Sequence, residues 1–580
     1  MIVTASRAPE PASRRAVTTI VIDRQQIKQQ NARDLADLLR FHAGLDIGRN
    51  GGPGQVSSVF VRGAESNHVL VMLDGVRINP GTIGVPAIQN IDPDIVDRVE
   101  IVKGPRSSLY GSDAIGAVIN VITRRDTAPK PPTFSIGTGS FDTFDIAAQT
   151  GFGTSSGGGN LAVSWHDTTG FAARTGADDK HGHDNITVNA AGWLAVDQHR
   201  AEINVWRSTG NTEYASFSLA PLDQDFINQS IDAKLTSRFG SRWTSALSIT
   251  HGLDDITQNQ PSFAGSFDFL TTRRLGIDWQ NTVELADDNQ WVLGLAGYNE
   301  QAEALSFGLP VDESTAVAAA YSQYNMHSDA LDASLGARYT THDDFGSALT
   351  WHLDVGYRVL PAVQILAAAG TGFRAPDATD RFGFGGNPTL KPEESTTLEL
   401  GLRVRINDRH RVTLRAFDQN IDNLINYVVT DFITFAGINR NVDKTRTTGV
   451  EMSHEYQGEY MRVHTEAIVQ RPRDDTSGAT LLRRAKRSLT TNILYPVLDG
   501  TVGVSLLASG ARPDIDSNTF MRVNNSGYVL ANLSYSRPLA RNWMVRAKVE
   551  NLLDTDYVTA NGFNTAGRSY FVGFSWQPRR

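Results

Sequence analysis

Three segments of this 580-residue chain carry residue types whose spacing could do chemistry. Gly370, Gly372 and Ala375 fit a dinucleotide fingerprint behind an apolar run, in which backbone N–H groups would cradle a pyrophosphate at a helix start. Pro376 and Asp377 follow directly, so the helix that the fingerprint needs is not expected. Gly153, Ser155 and Gly157 match a nucleophile elbow, a strained strand-to-helix turn that exposes a serine for hydrolysis. Here the chain runs on into Gly158, Gly159 and Asn160, which reads as a tight hairpin between strands. Residues 178–185 are a denser candidate. Asp178, Asp179 and Asp184 around Gly182 suit calcium, and His181-x-His183 suits a transition metal. A hydrophilic external loop accounts for the same residues. No His-Glu-x-x-His and no phosphate loop occurs, and the absence of cysteine removes thiol catalysis, thiolate-bound zinc and disulfides together. An enzyme is therefore poorly supported.

The elements that would position any site differ between the two ends of the chain. Residues 1–125 hold 15 Lys+Arg against 12 Asp+Glu, whereas residues 126–580 carry a net charge of −12, giving −9 for the whole. That balance argues against nucleic acid as a partner. The first part reads as a small mixed α/β unit. Residues 17–22 are strand-like, Asn31 is placed to cap a helix bearing Leu35, Leu38 and Leu39, and Gly44 suits the helix end. Asp74-Gly75 marks a hairpin between residues 69–73 and 76–78. Residues 99–102 and 117–123 supply further strands, with glycine-rich loops at 48–54 and 79–84.

From about Thr133 helical patterns give way to period-two alternation. Leu398, Leu400, Leu402, Val404 and Ile406 alternate with Glu399, Gly401, Arg403 and Arg405. Trp543, Val545, Ala547 and Val549 alternate with Met544, Arg546, Lys548 and Glu550, and Tyr570, Val572, Phe574 and Trp576 repeat the pattern. Alternation puts apolar groups on one face and polar groups on the other. A soluble sandwich would do the same, but residues 132–580 are too many for one. Long charged side chains on the polar face suit a wet lumen, and aromatics at strand ends (Trp543, Tyr557, Tyr570, Trp576) suit an interfacial girdle. No stretch approaches the ~18 apolar residues of a spanning helix. The expected fold is membrane all-β: an antiparallel transmembrane β-barrel of about 22 strands whose wide lumen needs a plug. The basic N-terminal unit is the right size to supply one. The first residues show no signal peptide, so the chain is expected to start near a processed terminus or to have had its start assigned late.

Residues 50–63, 68–77 and 99–116 resemble the plug of TonB-dependent outer-membrane transporters, and residues 386–393, 481–486, 551–557 and 566–568 resemble their barrel. Within that family the likeness is greatest to the cobalamin (corrinoid) type. The resemblance implies a TonB-contacting segment at 1–8, a plug at 9–128 and a barrel at 132–580. Ile2, Val3, Thr4, Ala5 and Ser6 would couple to TonB, and a short β-branched peptide ahead of Pro9 and Pro11 can add as a strand to a partner's sheet. The implied activity is energised import of a corrinoid by a monomer in outer-membrane lipid, with no required cofactor. Carried over by position, Val56, Ser58, Glu65, Ile83, Gly84 and Arg483 would contact substrate. Glu65 stands where the family has an asparagine, and Gly84 where it has a serine. Calcium in the outer loops would fall to Asp184 and Asp223, with Ala172 replacing one acidic ligand. The chain also ends in Gln577, Pro578, Arg579 and Arg580 after Trp576, where related barrels finish on an aromatic residue. A ferric-siderophore or haem receptor, a passive pore, a phage receptor and a hydrolase built on Ser155 are the alternatives.

Overall fold

Alternation along the second part of the chain resolves into a closed barrel. The computed structural model describes residues 2–3, 7, 10–11, 14–124, 130–261, 265–286, 289–431, 436–517 and 519–578. Among these, 22 antiparallel strands close from Lys130–Gly139 round to Ser569–Trp576, which pair with each other (Ile136 opposite Phe574). Leu398 and Leu400 are 58% and 63% exposed on the outer wall, while Thr397 and Glu399 between and beside them are buried toward the lumen. Each outward leucine meets lipid, and each lumenal polar group meets water or the plug. Trp543 lies opposite Trp576 at the end of the wall where the last strand finishes. Tyr557 departs from the girdle expectation. It lies in the loop after Trp543–Glu550, buried against Tyr528 (ring centroids 4.9 Å) and hydrogen-bonded to Arg40, so its hydroxyl finds a partner inside.

The plug fills the lumen. Its strands are β1 (Ile2–Val3), β2 (Glu10–Pro11), β3 (Thr19–Ile22), β4 (Leu45–Arg49), β5 (Ser57–Val61), β6 (Val69–Leu73), β7 (Val76–Arg77), β8 (Val96–Lys103) and β9 (Ala117–Thr123). A five-stranded mixed sheet has the order β3-β8-β9-β6-β7, and only β6 and β9 are parallel. Helices α1 (Arg24–Gln30) and α2 (Leu35–Arg40) cover it, and α3 (Ser107–Tyr110) faces the wall. Leu35, Leu38, Leu39, Val71, Ile101, Ile119 and Val121 form one apolar core. Asp23 caps α1 through a reciprocal bond with Gln26, and Asp34 caps α2. Asn31 therefore does not begin a helix, as its type suggested. It ends α1 in the left-handed region at φ 47°, the other role open to asparagine. The Asp74-Gly75 turn forms as expected, both residues having positive φ.

The three chemical motifs are absorbed by the barrel. Gly153 ends one strand and Gly157 begins the next, with Ser155 exposed in the turn. A helix does follow the Gly370 fingerprint, contrary to expectation: α4 (Ala378–Phe382), capped by Asp377. A carboxylate already occupies its N-terminus, so five residues with an acidic cap offer no phosphate cradle. His181 and His183 are not loop residues either. They open the strand His181–Val196 with both rings buried, and His183 stacks on Phe226 at 5.7 Å.

Candidate functional site

Two glycine-bearing plug loops face one mouth of the barrel. The first, residues 50–56, joins β4 to β5, and its glycines are forced by crowding. Gly51 has φ +121° and an added Cβ would lie 2.6 Å from that of Ala173, while Gly54 at φ +73° abuts His183. Close approach of backbone to wall leaves Val56 as the outward side chain, 47% exposed, with Ser58 half-buried on β5. The second loop holds Ile83, half-buried, and Gly84, buried at φ +67°. Asn79 staples it: Nδ2 donates to the carbonyls of Val69 and Gly84, and Oδ1 accepts from Val71 N–H. The N–H groups of Ala378 and Thr379 at the start of α4 donate to the carbonyls of Gly81 (2.9 Å) and Thr82 (3.0 Å), coupling this loop to the wall.

The sequence-derived contact residues are thus brought to one end of the plug, though not into one hydrogen-bonded set. Glu65 pairs with Arg484 (2.6 Å), not with Arg483. The Arg484 guanidinium also lies over the Phe60 ring at 4.4 Å. Arg483, with φ 61° and a third of its side chain exposed, donates to Asp514 of a barrel hairpin at 2.9 Å. Asp514 accepts further bonds from Asn525 Nδ2 and Asn561 N–H. Asp184 and Asp223 lie two strands apart. Asp223 accepts from Asn211, Asn259 and Gln260, while Asp184 lies directly opposite Asp167. Among the described residues, neither belongs to a group of three potential ligands with converging donor atoms.

Below the loops lies a buried ionic network that motif reading did not single out. Arg62, at the end of β5, donates to Glu399 (2.6 Å), to Glu451 (2.8 and 3.1 Å) and to Thr18 Oγ1 (3.1 Å). Arg415 holds Glu399 from the other side (3.1 Å), and Lys103 holds Glu451 (3.2 Å). Beside it, His68 meets Glu393 at 2.9 Å, and Arg374 joins Glu393, Asp377 and Asp380. Plug cations facing wall anions recur at Arg106–Asp354 and Arg33–Glu550. The opposite charges of the two sequence regions were the available signal. Which residues meet depends on barrel register, which composition does not carry.

Within the N-terminal segment, Arg7 is held inside the barrel. β1 pairs with β2, and Arg7 donates to Asp278 (2.6 Å), Tyr321 Oη (2.8 Å) and the Leu109 carbonyl, with Tyr321 under its guanidinium at 4.3 Å. Thr4, Ala5 and Ser6, and the side chains of Ile2 and Val3, fall outside the described residues. Further on, Arg403 and Arg415 donate to the carbonyls of Arg15 and Ala16. A cavity of about 140 Å³ runs between plug and wall from Gly54 to Lys28, lined also by Asp92, His166 and Arg546. Burial with the neighbouring Asp94 carboxylate pushes Asp92 up to about 6.

Comparison with known proteins agrees across the chain. The family description "TonB-dependent Receptor Plug Domain" matches residues 11–118, and "TonB dependent receptor-like, beta-barrel" matches residues 124–552. The vitamin B12 transporter BtuB of Vibrio cholerae serotype O1 is 30% identical over 100% of this chain and 95% of its own length. The protein of the same name from Photobacterium profundum is 28% identical over 99% and 94%. Among solved structures, the siderophore receptor PirA from Acinetobacter baumannii superposes with a TM-score of 0.82 at 17% identity, covering 97% of this chain and 98% of its own. The pyoverdine receptor FpvA from Pseudomonas aeruginosa gives 0.84 at 16%, covering 100% and 97%.

Proposed function

The chain belongs to the TonB-dependent receptors of the bacterial outer membrane, and from that premise we propose that the cargo it imports is a corrinoid of the cobalamin class. The observation that carries the cargo is identity of 30% along the whole chain with proteins named as vitamin B12 transporters. The iron-chelate receptors among the structural neighbours, at 15–17% identity, speak to fold alone. Local chemistry supports the same reading. A corrin presents amide side chains and a broad apolar rim, which suit glycine-rich main chain and an exposed Val56. Arg483 and Arg484 at this end each already hold a carboxylate, whereas a polyanionic ferric chelate calls for cations with charge to spare.

The route from cargo to coupling follows one strand. Ser58 lies on β5 and Arg62 directly follows its last residue, four positions on and roughly 13 Å away. Displacing the first loop therefore loads Arg62, and Arg62 holds Thr18 and both wall glutamates. Loosening that network frees the stretch that leads to Arg7 and the TonB-coupling residues. TonB then draws on the segment, and the plug shifts within a largely polar interface that water can re-solvate. Because Asp184 and Asp223 lie two strands apart, calcium that orders the outer loops would take one of them with other ligands, not both.

Equilibrium binding of cyanocobalamin to the detergent-purified chain, with and without calcium, tests the cargo. Saturable binding at or below micromolar ligand is expected. Lack of binding in both conditions, with growth rescued by a ferric chelate, would replace the corrinoid with iron while leaving the fold intact.

A further inference from the structure

One cluster at the plug–wall boundary has no part in cargo or coupling as described. His464 and Glu466 sit two apart on the strand Arg462–Asp474, so both side chains point into the lumen. His42, just after α2, meets them from the plug. Its Nδ1 lies 3.1 Å from Glu466 Oε2, and His464 Nε2 lies 3.4 Å from Glu466 Oε1. One donor atom from each of the three residues lies within 4.8 Å of the other two.

These separations are those of metal ligands. Donors bound at 2.0–2.1 Å to one tetrahedral ion are about 3.3 Å apart. Hydrogen bonding explains the cluster less well. His464 Nε2 lacks an aligned partner among the described residues, while His42, only 3% exposed, aims Nδ1 at the same carboxylate. Glu466 Oε2 is fixed by the Ala43 N–H at 3.1 Å, which aims the carboxylate. The nearby ammonium of Lys103 is occupied by the Ala43 carbonyl (2.7 Å) and Glu451, so its charge is partly offset. His464 retains a quarter of its side-chain exposure, leaving room for a fourth, water ligand and a route for exchange.

We propose that His42, His464 and Glu466 form a zinc site that staples the plug to the barrel. Two neutral imidazoles and one carboxylate with a water are a stable zinc set. Because the ligands come from both domains, the ion must leave, or lose His42, before the plug rearranges around α2. Bound zinc therefore acts as a brake on import, not as a cofactor for it.

The test uses the full chain in detergent, stripped with a chelator and then titrated with Zn²⁺ without corrinoid, with bound metal measured after equilibrium dialysis. One saturable site per chain is expected, weakened by about 100-fold or more in H464Q and in H42Q, beyond the 10–100-fold typical of outer-shell changes. Cobalt(II) should give the intense visible bands of a tetrahedral site in the wild type and lose them in H464Q. Cyanocobalamin binding by H464Q, which lies away from the apical loops, reports that the variant is folded. Equal zinc affinity in wild type and both variants, or cobalt bands unchanged in H464Q, overturns the proposal without touching the cargo.

Discussion

Replacing Arg62 with alanine should destabilise the plug within the barrel by about 3 kcal/mol. The side chain is fully buried and satisfies three groups at once, Glu399, Glu451 and Thr18. Removing one partner of a buried ion pair costs roughly 3–5 kcal/mol, because the surviving charge stays desolvated. Here the cost falls at the lower end, since Arg415 and Lys103 remain on the two carboxylates at 3.1 and 3.2 Å. Lysine at this position should recover only part of the loss, as one ammonium cannot reproduce the forked contact with both glutamates. The assay is urea-driven loss of hydrogen-exchange protection in β8 and β9, in detergent, under conditions where the barrel stays closed. The exposed pair Arg411–Glu455 serves as comparison, and breaking it should change little. A loss below about 1 kcal/mol for Arg62→Ala would refute the claim that this network holds the plug.

Arg7→Ala removes an ion pair, a hydroxyl contact and a cation–π contact, weakening docking of the N-terminal segment by about 2 kcal/mol. A spin label at Pro11 should then become more mobile, and an unchanged spectrum contradicts the latch. Deleting residues 2–7 should abolish energised uptake of cobalamin while leaving equilibrium binding intact; retained uptake would point to a passive pore. Arg483→Ala should lower corrinoid affinity by roughly 1–3 kcal/mol, and unchanged affinity would reduce Arg483 to a tether for Asp514. Asp92, raised to about 6, costs the folded plug stability once ionised, a loss that sets in as pH rises above the ordinary carboxylate value and is complete above pH 6. Asp92→Asn should therefore raise the urea midpoint at pH 8 but not at pH 4, and equal shifts at both would reject that assignment.

The barrel was legible because a period of two is a property of single residues. Leu398, Leu400 and Leu402 announce an outer wall without reference to anything distant. The plug's hairpin at Asp74-Gly75 is equally local, since the turn conformation selects its own residues. Asn31 shows where this stops: its type permits either end of a helix, and the choice fell to Asp23 and Asp34, which provide better caps. Tyr557 was misplaced for a related reason. Aromatic character marks both girdles and polar interiors, and only the fold brings Arg40 to its hydroxyl. The proposed contact residues came from resemblance alone, and the Arg484–Glu65 and Arg483–Asp514 pairings join segments hundreds of residues apart or separate turns of one wall. Opposite net charges in the two regions foretold ionic contacts between plug and barrel. They could not say that Arg62 would gather two of the wall's glutamates.

The position of β3 in its sheet bears on how tension would travel. It is an outermost strand of four residues, attached along one side only, from Thr19 opposite Val102 to Ile22 opposite Val99. A pull from the N-terminus meets the Arg7 contacts first, next the carbonyls clasped by Arg403 and Arg415, then these rungs in turn, each worth about 1 kcal/mol. The peak load is set by a rung or two, while β8, β9 and β6 keep their shared ladders. Once released, the same short strip has an intact neighbour to zip back onto, so the plug can yield stepwise and be reset without refolding from scratch.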